Sequence, residues 1–254
     1  MIRKSQWHVR SKWSRHLGLS GSRRLARYIP STRLLSRRNL KPFLRRHKIV
    51  FVKPVYGSFG NRIMKVARRK HGGYSVHREH HVRRVSSRGI VRTVFRHTGR
   101  RPFLIQKGVN ILKVKRRPVD FRVLLLRPGS RWETMGIMGK MATGNRIVTN
   151  YNHGGRAVNF KELLRRAGWS PHRIDQMEAR MIRIGRAAAN KFSRRYKHCR
   201  RLGIDMAIDT EGRVWILEVN TNPFFDLFRH HENKHLYERI KRTMRQIRRN
   251  QSNR

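Results

Sequence analysis

Acidic residues are scarce in this chain of 254 residues. Asp and Glu together number 13 against 63 Lys and Arg, which gives a formal net charge of +50. The first acid is Glu79, so residues 1–78 carry no negative side chain at all. This balance excludes a neutral or negative surface and predicts acidic partners, with nucleic acid or an anionic polymer among them.

Cysteine and long apolar runs are equally scarce. Cys199 is the single cysteine, so no internal disulfide forms and a cytoplasmic location is predicted. No catalytic partner pattern surrounds Cys199, and we expect a buried packing residue, not a nucleophile. No apolar run reaches the roughly 18 residues that span a bilayer, and the amino terminus lacks a signal-peptide core, so no transmembrane segment is expected.

Periodicity predicts an α+β protein in which hairpins are followed by single helices. A short helix is expected after Ser31 or Thr32, and a long helix is expected from Ser170-Pro171 to a point just before Gly203. The long helix should bury Met177, Met181, Ile184, Ala188, Phe192 and Tyr196, and the final helix Leu236, Ile240, Met244 and Ile247. The predicted strands are 48–53, 62–67, 103–106, 120–126, 132–138, 204–208 and 214–219.

Three of the few acids, Asp120, Asp205 and Glu218, interrupt apolar strands. Glu218 and Asn220 lie two residues apart on one strand, so their side chains share a face. A four-residue turn would pair Asp209 with Val214 and thereby place Asp205 opposite Glu218, with the Cβ atoms about 5 Å apart.

Two like charges that face each other in a sheet require positive charge between them. Magnesium is one answer, because it binds carboxylate and amide oxygens together with substrate phosphates. Pairing of Asp205 and Glu218 with some of the many arginines is the other answer, and spacing alone does not separate the two.

A resemblance to a known family adds to this interpretation. The segment LGIDMAIDTEGRVWILEVNTNP at 202–223 resembles the closing hairpin of the ATP-grasp superfamily. Five further segments occur in the expected order and resemble the YheC/YheD-like branch, known from spore-forming bacteria: YIPST at 28, VFVKPVYGSFGNRI at 50, FLIQKGV at 103, VDFRVLL at 119 and GNRIVTNYNHGGRAV at 144.

The resemblance implies the ATP-grasp fold, in which two α+β lobes hold ATP between antiparallel sheets, and it implies ATP and Mg²⁺ as cofactors. In the family, Asp205, Glu218 and Asn220 correspond to the magnesium ligands. Lys53 corresponds to a phosphate-binding lysine at a strand end. The remaining nucleotide contacts are implied for the glycine loop Gly57, Ser58, Phe59 and Gly60 and for the hinge strand Gln106, Lys107, Gly108 and Val109.

The same resemblance implies the groups that act on the substrate. Arg122 corresponds to the arginine that stabilises an acyl phosphate. Asn150 or Asn152, with Gly154-Gly155, is expected near the phosphates and the amine. Two positions depart from the family: Lys140 stands where arginine is usual, which loses a bidentate fork, and Asn61 replaces a further glycine.

The predicted organisation is a basic arm (residues 1–27), an amino-terminal lobe (28–102), a carboxyl-terminal lobe with the metal site (103–249) and a tail (250–254). Most of the domain that commonly precedes an ATP-grasp core is expected to be missing. The predicted function is a Mg-ATP-dependent ligase that joins an acidic small molecule or peptide to an amine through an acyl phosphate, in the cytoplasm and in association with spores.

Two alternatives remain at this point. A basic binder of nucleic acid or anionic polymer on a weakened ATP-grasp scaffold is favoured by the net charge, by Trp7 and Trp13 in the basic arm and by Tyr28 directly after it. A zinc site from His77, His80 and His81 is the other alternative, although no cysteine accompanies these three histidines.

Overall fold

Two antiparallel sheets organise the chain in a computed structural model that describes residues 9–57, 62–78, 81–142 and 155–252. The first sheet has the strand order β1-β6-β2-β3-β4-β5, and the second has the order β10-β9-β8-β11-β12, with β7 paired to β8. The strands are β1 Thr32–Leu34, β2 Ile49–Pro54, β3 Met64–Arg68, β4 Tyr74–Arg78, β5 His81–Val85, β6 Phe103–Lys107, β7 Lys113–Val114, β8 Arg117–Leu126, β9 Glu133–Met141, β10 Arg156–Asn159, β11 Arg201–Ile208 and β12 Val214–Asn220.

The helices connect and cover these sheets. They are α1 Lys12–Ser20, α2 Arg23–Ala26, α3 Arg37–Arg46, α4 Ile90–Thr98, α5 Phe160–Arg166, α6 Pro171–Arg195 and α7 His235–Ser252, with a 3-10 helix at Asp226–His230. Within the described ranges, no helix is both long and apolar enough to cross a membrane.

The first sheet buries one face under α3 and α4. Leu40 and Leu44 of α3, Val52 of β2, and Ile90 and Val94 of α4 are completely buried in one hydrophobic cluster. Because α4 presents its apolar residues four apart, one side of this helix faces the sheet and the other faces solvent.

The second sheet is covered on both faces, because strand side chains alternate in direction. On β8, Val123 and Leu125 join the cluster that contains α6, whereas Leu124 and Leu126 join the cluster that contains α7. The polar residues Asp120 and Arg122 share the face of Leu124, beyond the cluster that α7 covers. This end of the sheet contains the candidate site.

Several predicted elements are confirmed. The hairpin β2–β3 pairs as expected. The long helix begins at Pro171 with the Ser170 hydroxyl accepting from the Arg173 amide, and its predicted apolar stripe is buried except for Tyr196, which is half-buried beyond the last helical residue. The four predicted core residues of α7 are buried as well. The α+β class is therefore confirmed.

Other predictions were wrong. Thr32 begins a strand, and the following helix is capped by Ser36, whose side chain accepts from the Asn39 amide. Gly203 lies inside β11 and not at a helix end. The basic stretch before β6 contains the strand β5 and the helix α4, neither of which was predicted from the sequence.

The amino-terminal region differs most from its prediction as an arm without regular structure. Residues 12–26 form α1 and α2, and Leu19 and Leu25 are buried in the main cluster of the second sheet. Gly18 permits this close packing, because a Cβ there would lie 3.0 Å from a ring atom of Phe192. Helix α1 is thus part of the core.

Strand β6 bears on the predicted lobe boundary. It begins at Phe103 and pairs with β1 and β2, so it belongs to the first sheet. A division of the chain between residues 102 and 103 remains a prediction.

Candidate active site

The hairpin β11–β12 places Asp205 opposite Glu218, as predicted, but through a different register. Ile208, not Asp209, pairs with Val214, and a bulge at Leu217 shifts the pairing by one residue before it reaches Glu218. The Asp209 carboxylate instead holds the turn, accepting from the amides of Glu211 and Arg213.

The bulge decides the direction of the polar side chains. Ile216 and Val219 are both buried in the same cluster although they are three residues apart. In a regular strand, Glu218 would share the face of Ile216. The extra residue at Leu217 turns Glu218 and Asn220 to the opposite face, towards Asp205.

Asp205 is the centre of a buried ion-pair network. Its Oδ1 accepts from Arg122 Nε at 2.7 Å and from Lys140 Nζ at 2.8 Å. Its Oδ2 accepts from Arg122 Nη2 at 3.1 Å and from Asn220 Nδ2 at 3.2 Å. Lys140 Nζ also lies 2.9 Å from the Asp120 carboxylate. Lys140 therefore bridges two acids on neighbouring strands.

The network fixes the charge of its members. Burial alone would raise the pKa of Asp205, but Arg122 and Lys140 outweigh it and hold this pKa well below its usual range. Burial alone would likewise lower the pKa of Lys140, but Asp120 and Asp205 raise it. Both groups are charged at neutral pH.

Gly203 makes room for this network. A Cβ at Gly203 would lie 3.0 Å from Arg122 Cδ and 2.6 Å from Pro223 Cβ. Arg122 also donates from Nη1 to the Phe224 carbonyl at 3.1 Å, which fixes its guanidinium at the end of the sheet. The glycine is therefore required by a close approach and not by a helix cap.

Glu218 and Asn220 face a second set of cations from α1. Arg15 Nη2 donates to Glu218 Oε1 at 3.2 Å, and Arg15 Nη1 donates to Asn220 Oδ1 at 3.1 Å. Lys12 Nζ lies 3.5 Å from Glu218 Oε1 and donates to the Gly57 carbonyl at 2.5 Å. Neither cation was predicted from the sequence.

Lys53 and Gln106 face the same space from the first sheet. Lys53 Nζ donates to Gln106 Oε1 at 2.6 Å, and Gln106 Nε2 donates to Thr32 Oγ1 at 3.0 Å. Burial outweighs the attraction of Glu218 and lowers the pKa of Lys53. The lysine predicted for phosphate contact thus lines the same cleft as Glu218 but belongs to the other sheet.

A cleft joins these groups between the two sheets. Its empty volume is about 520 Å³, a value that includes open solvent at its mouth. One wall comes from the first sheet, the opposite wall from β12, and α1 covers one side. Its lining includes Lys12, Arg15, Leu19, Thr32, Lys53, Leu104, Gln106, Ile216 and Glu218.

The other hinge residues take different positions. The Lys107 ammonium lies over the Trp215 ring, 5.3 Å from its centroid. Gly108 packs against β2, where a Cβ would meet Ile49 Cγ2 at 2.5 Å. Val109 is half-buried. Of the four predicted hinge contacts, Gln106 is the one whose side chain lines the cleft.

Several predicted residues lie outside the described residues. These are Ser58, Phe59 and Gly60 of the glycine loop and the neighbouring Asn61, together with Asn150, Asn152 and Gly154. Their assigned roles stay predictions.

Cys199 and the histidines complete the set of predicted sites. Cys199 is buried, its Sγ lies 3.4 Å from the Arg201 carbonyl, and burial raises the pKa of its thiol to about 11, as expected of a packing residue. His80 lies outside the described residues. Among the residues that are described, no group of three or more His, Cys, Asp or Glu side chains is placed to hold a metal.

The donor set nevertheless fits a hard divalent cation at Glu218 and Asn220. Their oxygens already converge on a single positive group, the Arg15 guanidinium. Carboxylate and amide oxygens are the ligands that magnesium prefers, with phosphate oxygens and water as the remainder. Asp205 fits less well, because Arg122, Lys140 and Asn220 already donate to its two oxygens.

Comparison with the sequences of known proteins finds curated relatives of this chain. YheD of Bacillus subtilis (strain 168), an endospore coat-associated protein, is 25% identical over 240 residues, which cover 91% of this chain and 52% of YheD. The chain spans about half the length of the curated relatives it matches.

Solved structures share the fold at low identity. D-cycloserine synthetase DcsG superposes with a TM-score of 0.58 and 11% identity, covering 95% of this chain and 71% of that one. Carboxyaminoimidazole ribonucleotide synthase from Aspergillus clavatus, complexed with ATP, gives a TM-score of 0.53 and 10% identity, covering 85% and 46%.

A sequence model of the YheC/D-like ATP-grasp proteins matches residues 2–247. This match covers the two sheets, the cleft and the hairpin that contains Asp205, Glu218 and Asn220. The chain therefore belongs to the YheC/D-like ATP-grasp family.

Proposed function

We propose that this protein binds Mg-ATP in the cleft between its two sheets and uses it to join a carboxylate to an amine. The observation that carries the proposal is a cleft lined by Lys53 and Glu218. Next to this cleft, Arg15 joins Glu218 to Asn220, and Asp205 joins Asn220 to Arg122. Such a cleft suits a substrate with several negative charges that must be held close to a carboxylate.

Each cleft residue has a role that follows from its contacts. Lys53 gives a positive charge at the end of β2 and contacts a phosphate, while Gln106 orients it through the 2.6 Å hydrogen bond. Leu104 and Ile216 line the cleft and provide apolar surface for a nucleotide base. A metal bound at Glu218 and Asn220 would neutralise phosphate charge.

Arg122 and Lys140 form the half of the site that faces the reacting carboxylate. Arg122 retains a guanidinium fixed by Asp205 and by the Phe224 carbonyl, so it stabilises negative charge without reorganising. In the proposed reaction, the carboxylate oxygen attacks the terminal phosphorus and ADP leaves. The amine then attacks the acyl carbon, phosphate leaves, and the amine loses a proton.

Asp205 acts in this scheme through its neighbours. Its Oδ2 accepts from Asn220 Nδ2, which turns Asn220 Oδ1 towards Glu218 and the cation position. Asp205 adds an oxygen to a metal only where Arg122 or Lys140 releases one. We therefore propose Glu218 and Asn220 as the principal metal ligands and Asp205 as the third.

The experiment that tests the proposal is calorimetric titration of Mg-ATP into the wild type and into Glu218→Gln. We expect the substitution to weaken binding by tenfold or more, because one charged metal ligand is lost, equivalent to at least about 1.4 kcal/mol. The matched control is Glu211→Gln, an acid whose side chain is 64% exposed in the β11–β12 turn. This control should bind Mg-ATP as the wild type does.

Turnover is measured separately as release of ADP in the presence of pooled amino acids and acidic peptides, with products identified by mass. A new amide mass that requires Mg-ATP and is missing with Glu218→Gln is the expected result. Equal Mg-ATP affinity in wild type and Glu218→Gln would overturn the proposed site. The cytoplasmic location and the association with spores also remain predictions.

A further inference from the structure

Arg15 binds the same two oxygens, one of Glu218 and one of Asn220, that are proposed as metal ligands. Its two terminal nitrogens contact one oxygen of each residue, at 3.2 Å and 3.1 Å. The residue is 8% exposed, so this contact is not a solvated surface pair. A single guanidinium therefore neutralises the Glu218 carboxylate and also donates a hydrogen bond to the Asn220 amide oxygen.

Helix α1 holds Arg15 there through contacts that do not involve its charge. The Ser11 hydroxyl caps the helix by accepting from the Ser14 amide, and the Ser14 carbonyl accepts from the Tyr196 hydroxyl at 3.0 Å. Leu19 is buried, and the Lys12 amide donates to the Val55 carbonyl at 2.8 Å. The helix therefore stays in place when the Arg15 side chain changes.

The guanidinium is nevertheless incompletely bound. Its Nε is buried and has no hydrogen-bond partner among the described residues. An arginine can donate five N–H bonds, and an unpaired buried donor costs free energy. A divalent cation that displaced the side chain would therefore release a guanidinium whose bonding was only partly satisfied.

We infer that Arg15 is a resident cation of the metal site, which competes with a divalent ion for Glu218 and Asn220. The inference rests on the proposed function, because it assigns those two residues to a metal. Its consequence is that Arg15 sets how much free divalent ion the protein needs: the ion binds only at the cost of the two Arg15 hydrogen bonds. The nearby Lys12 ammonium, 3.5 Å from Glu218, also disfavours binding of a divalent ion.

The test measures Mn²⁺ binding without nucleotide by electron paramagnetic resonance, where free and bound ions differ in signal. Arg15→Met removes the charge and keeps an apolar side chain next to the cleft. We expect its Mn²⁺ affinity to rise about tenfold, since at least one charge-assisted hydrogen bond no longer competes. The double variant Arg15→Met/Glu218→Gln should lose that gain.

The matched control is Arg24→Met on α2, which removes the same charge from an exposed position. It should bind Mn²⁺ as the wild type does, so the net charge change by itself is accounted for. Arg15→Lys is the second variant and carries the test if Arg15→Met does not fold. Lysine keeps the charge but not the planar guanidinium, so the Mn²⁺ affinity of Arg15→Lys should lie between the affinities of the wild type and Arg15→Met.

The outcomes separate the inference from the proposed function. Equal Mn²⁺ affinity in wild type and Arg15→Met, with weaker binding by Glu218→Gln, overturns the competition and leaves the metal site intact. Mn²⁺ binding by neither wild type nor Arg15→Met overturns the competition, and absence of Mg-ATP binding in the calorimetric titration then overturns the proposed function as well. Tighter binding by Arg15→Met that Glu218→Gln removes supports both.

Discussion

The two sheets use charge in opposite ways. The outer strand β5 of the first sheet exposes Arg83 and Arg84 to solvent. In the second sheet, the side chains of Arg122, Lys140 and Asp205 are each 13% exposed or less and are joined by ion pairs. The formal charge of +50 is mainly a property of surfaces such as β5, whereas a few buried charges define the candidate site.

This difference determines what each charge contributes. An exposed arginine is solvated, interacts weakly with its neighbours and attracts polyanions in a salt-dependent way. A buried arginine has lost its water and depends on fixed partners, so removal of one partner leaves an uncompensated charge. Total charge therefore indicates little about the site, and substitutions in the two regions should separate the two kinds of charge.

The largest effect is expected for Arg122→Ala. Asp205 would remain buried and lose two of its hydrogen bonds, although Lys140 and Asn220 would still donate. We expect the free energy of unfolding to fall by about 3 kcal/mol, the lower end of the cost of breaking a buried pair. Denaturant unfolding measures this value.

Arg213→Ala is the control for that measurement. It removes an arginine whose side chain is 66% exposed and whose partner, Glu211, is also exposed. Its cost should stay below about 1 kcal/mol. Similar costs for Arg122→Ala and Arg213→Ala would contradict the contrast between buried and exposed charge.

A smaller effect, which depends on pH, is expected for Asp205→Asn. Because the folded-state pKa of Asp205 lies below its unfolded value, the folded state binds fewer protons, and stability rises with pH. This contribution is complete above the unfolded pKa of about 3.9 and is lost as pH falls towards the folded pKa. Asp205→Asn should therefore be less stable than wild type by roughly 2 kcal/mol at pH 7.

The measurement is the free energy of unfolding by urea for both proteins at pH 7 and at steps below pH 4. The difference between them should narrow as the pH decreases. A difference that stays constant over this range would show that the charge of Asp205 does not stabilise the folded state.

The hairpin β11–β12 illustrates how much of the structure can be predicted from the sequence. Alternation of apolar and polar residues was enough to predict two paired strands and the facing of Asp205 and Glu218. The predicted pairing of Asp209 with Val214 was wrong, and the bulge at Leu217 compensated for it by one residue. A bulge depends on tertiary packing of Ile216 and Val219, which no local pattern in this strand reveals.

Helix α1 shows what the sequence did not reveal. Its start had a signal in Ser11 and its end had one in Gly21, but the uniform positive charge and the lack of acids obscured both. The contact of Arg15 with Glu218 joins residues 203 positions apart, so it follows from the fold and not from spacing. Lys53 was predicted because the family resemblance assigns a phosphate-binding lysine to the strand before a glycine loop. Arg15 was missed because its partners lie on a strand that is distant in the sequence.

The smallest effect on stability is expected for Arg83→Ser/Arg84→Ser on β5, because both side chains are exposed. The free energy of unfolding should change by no more than about 0.5 kcal/mol.

The affinity for a B-DNA fragment, measured at several salt concentrations, tests whether this strand contacts a polyanion. The logarithmic salt slope should become shallower by about 0.9 for each phosphate that the double variant no longer neutralises. Val82→Ser, a neutral exposed position on the same strand, is the control and should leave the slope unchanged. An unchanged slope for the double variant would exclude β5 from the polyanion surface, whereas a reduced slope with unchanged Mg-ATP affinity would show that the exposed charge and the buried site act independently.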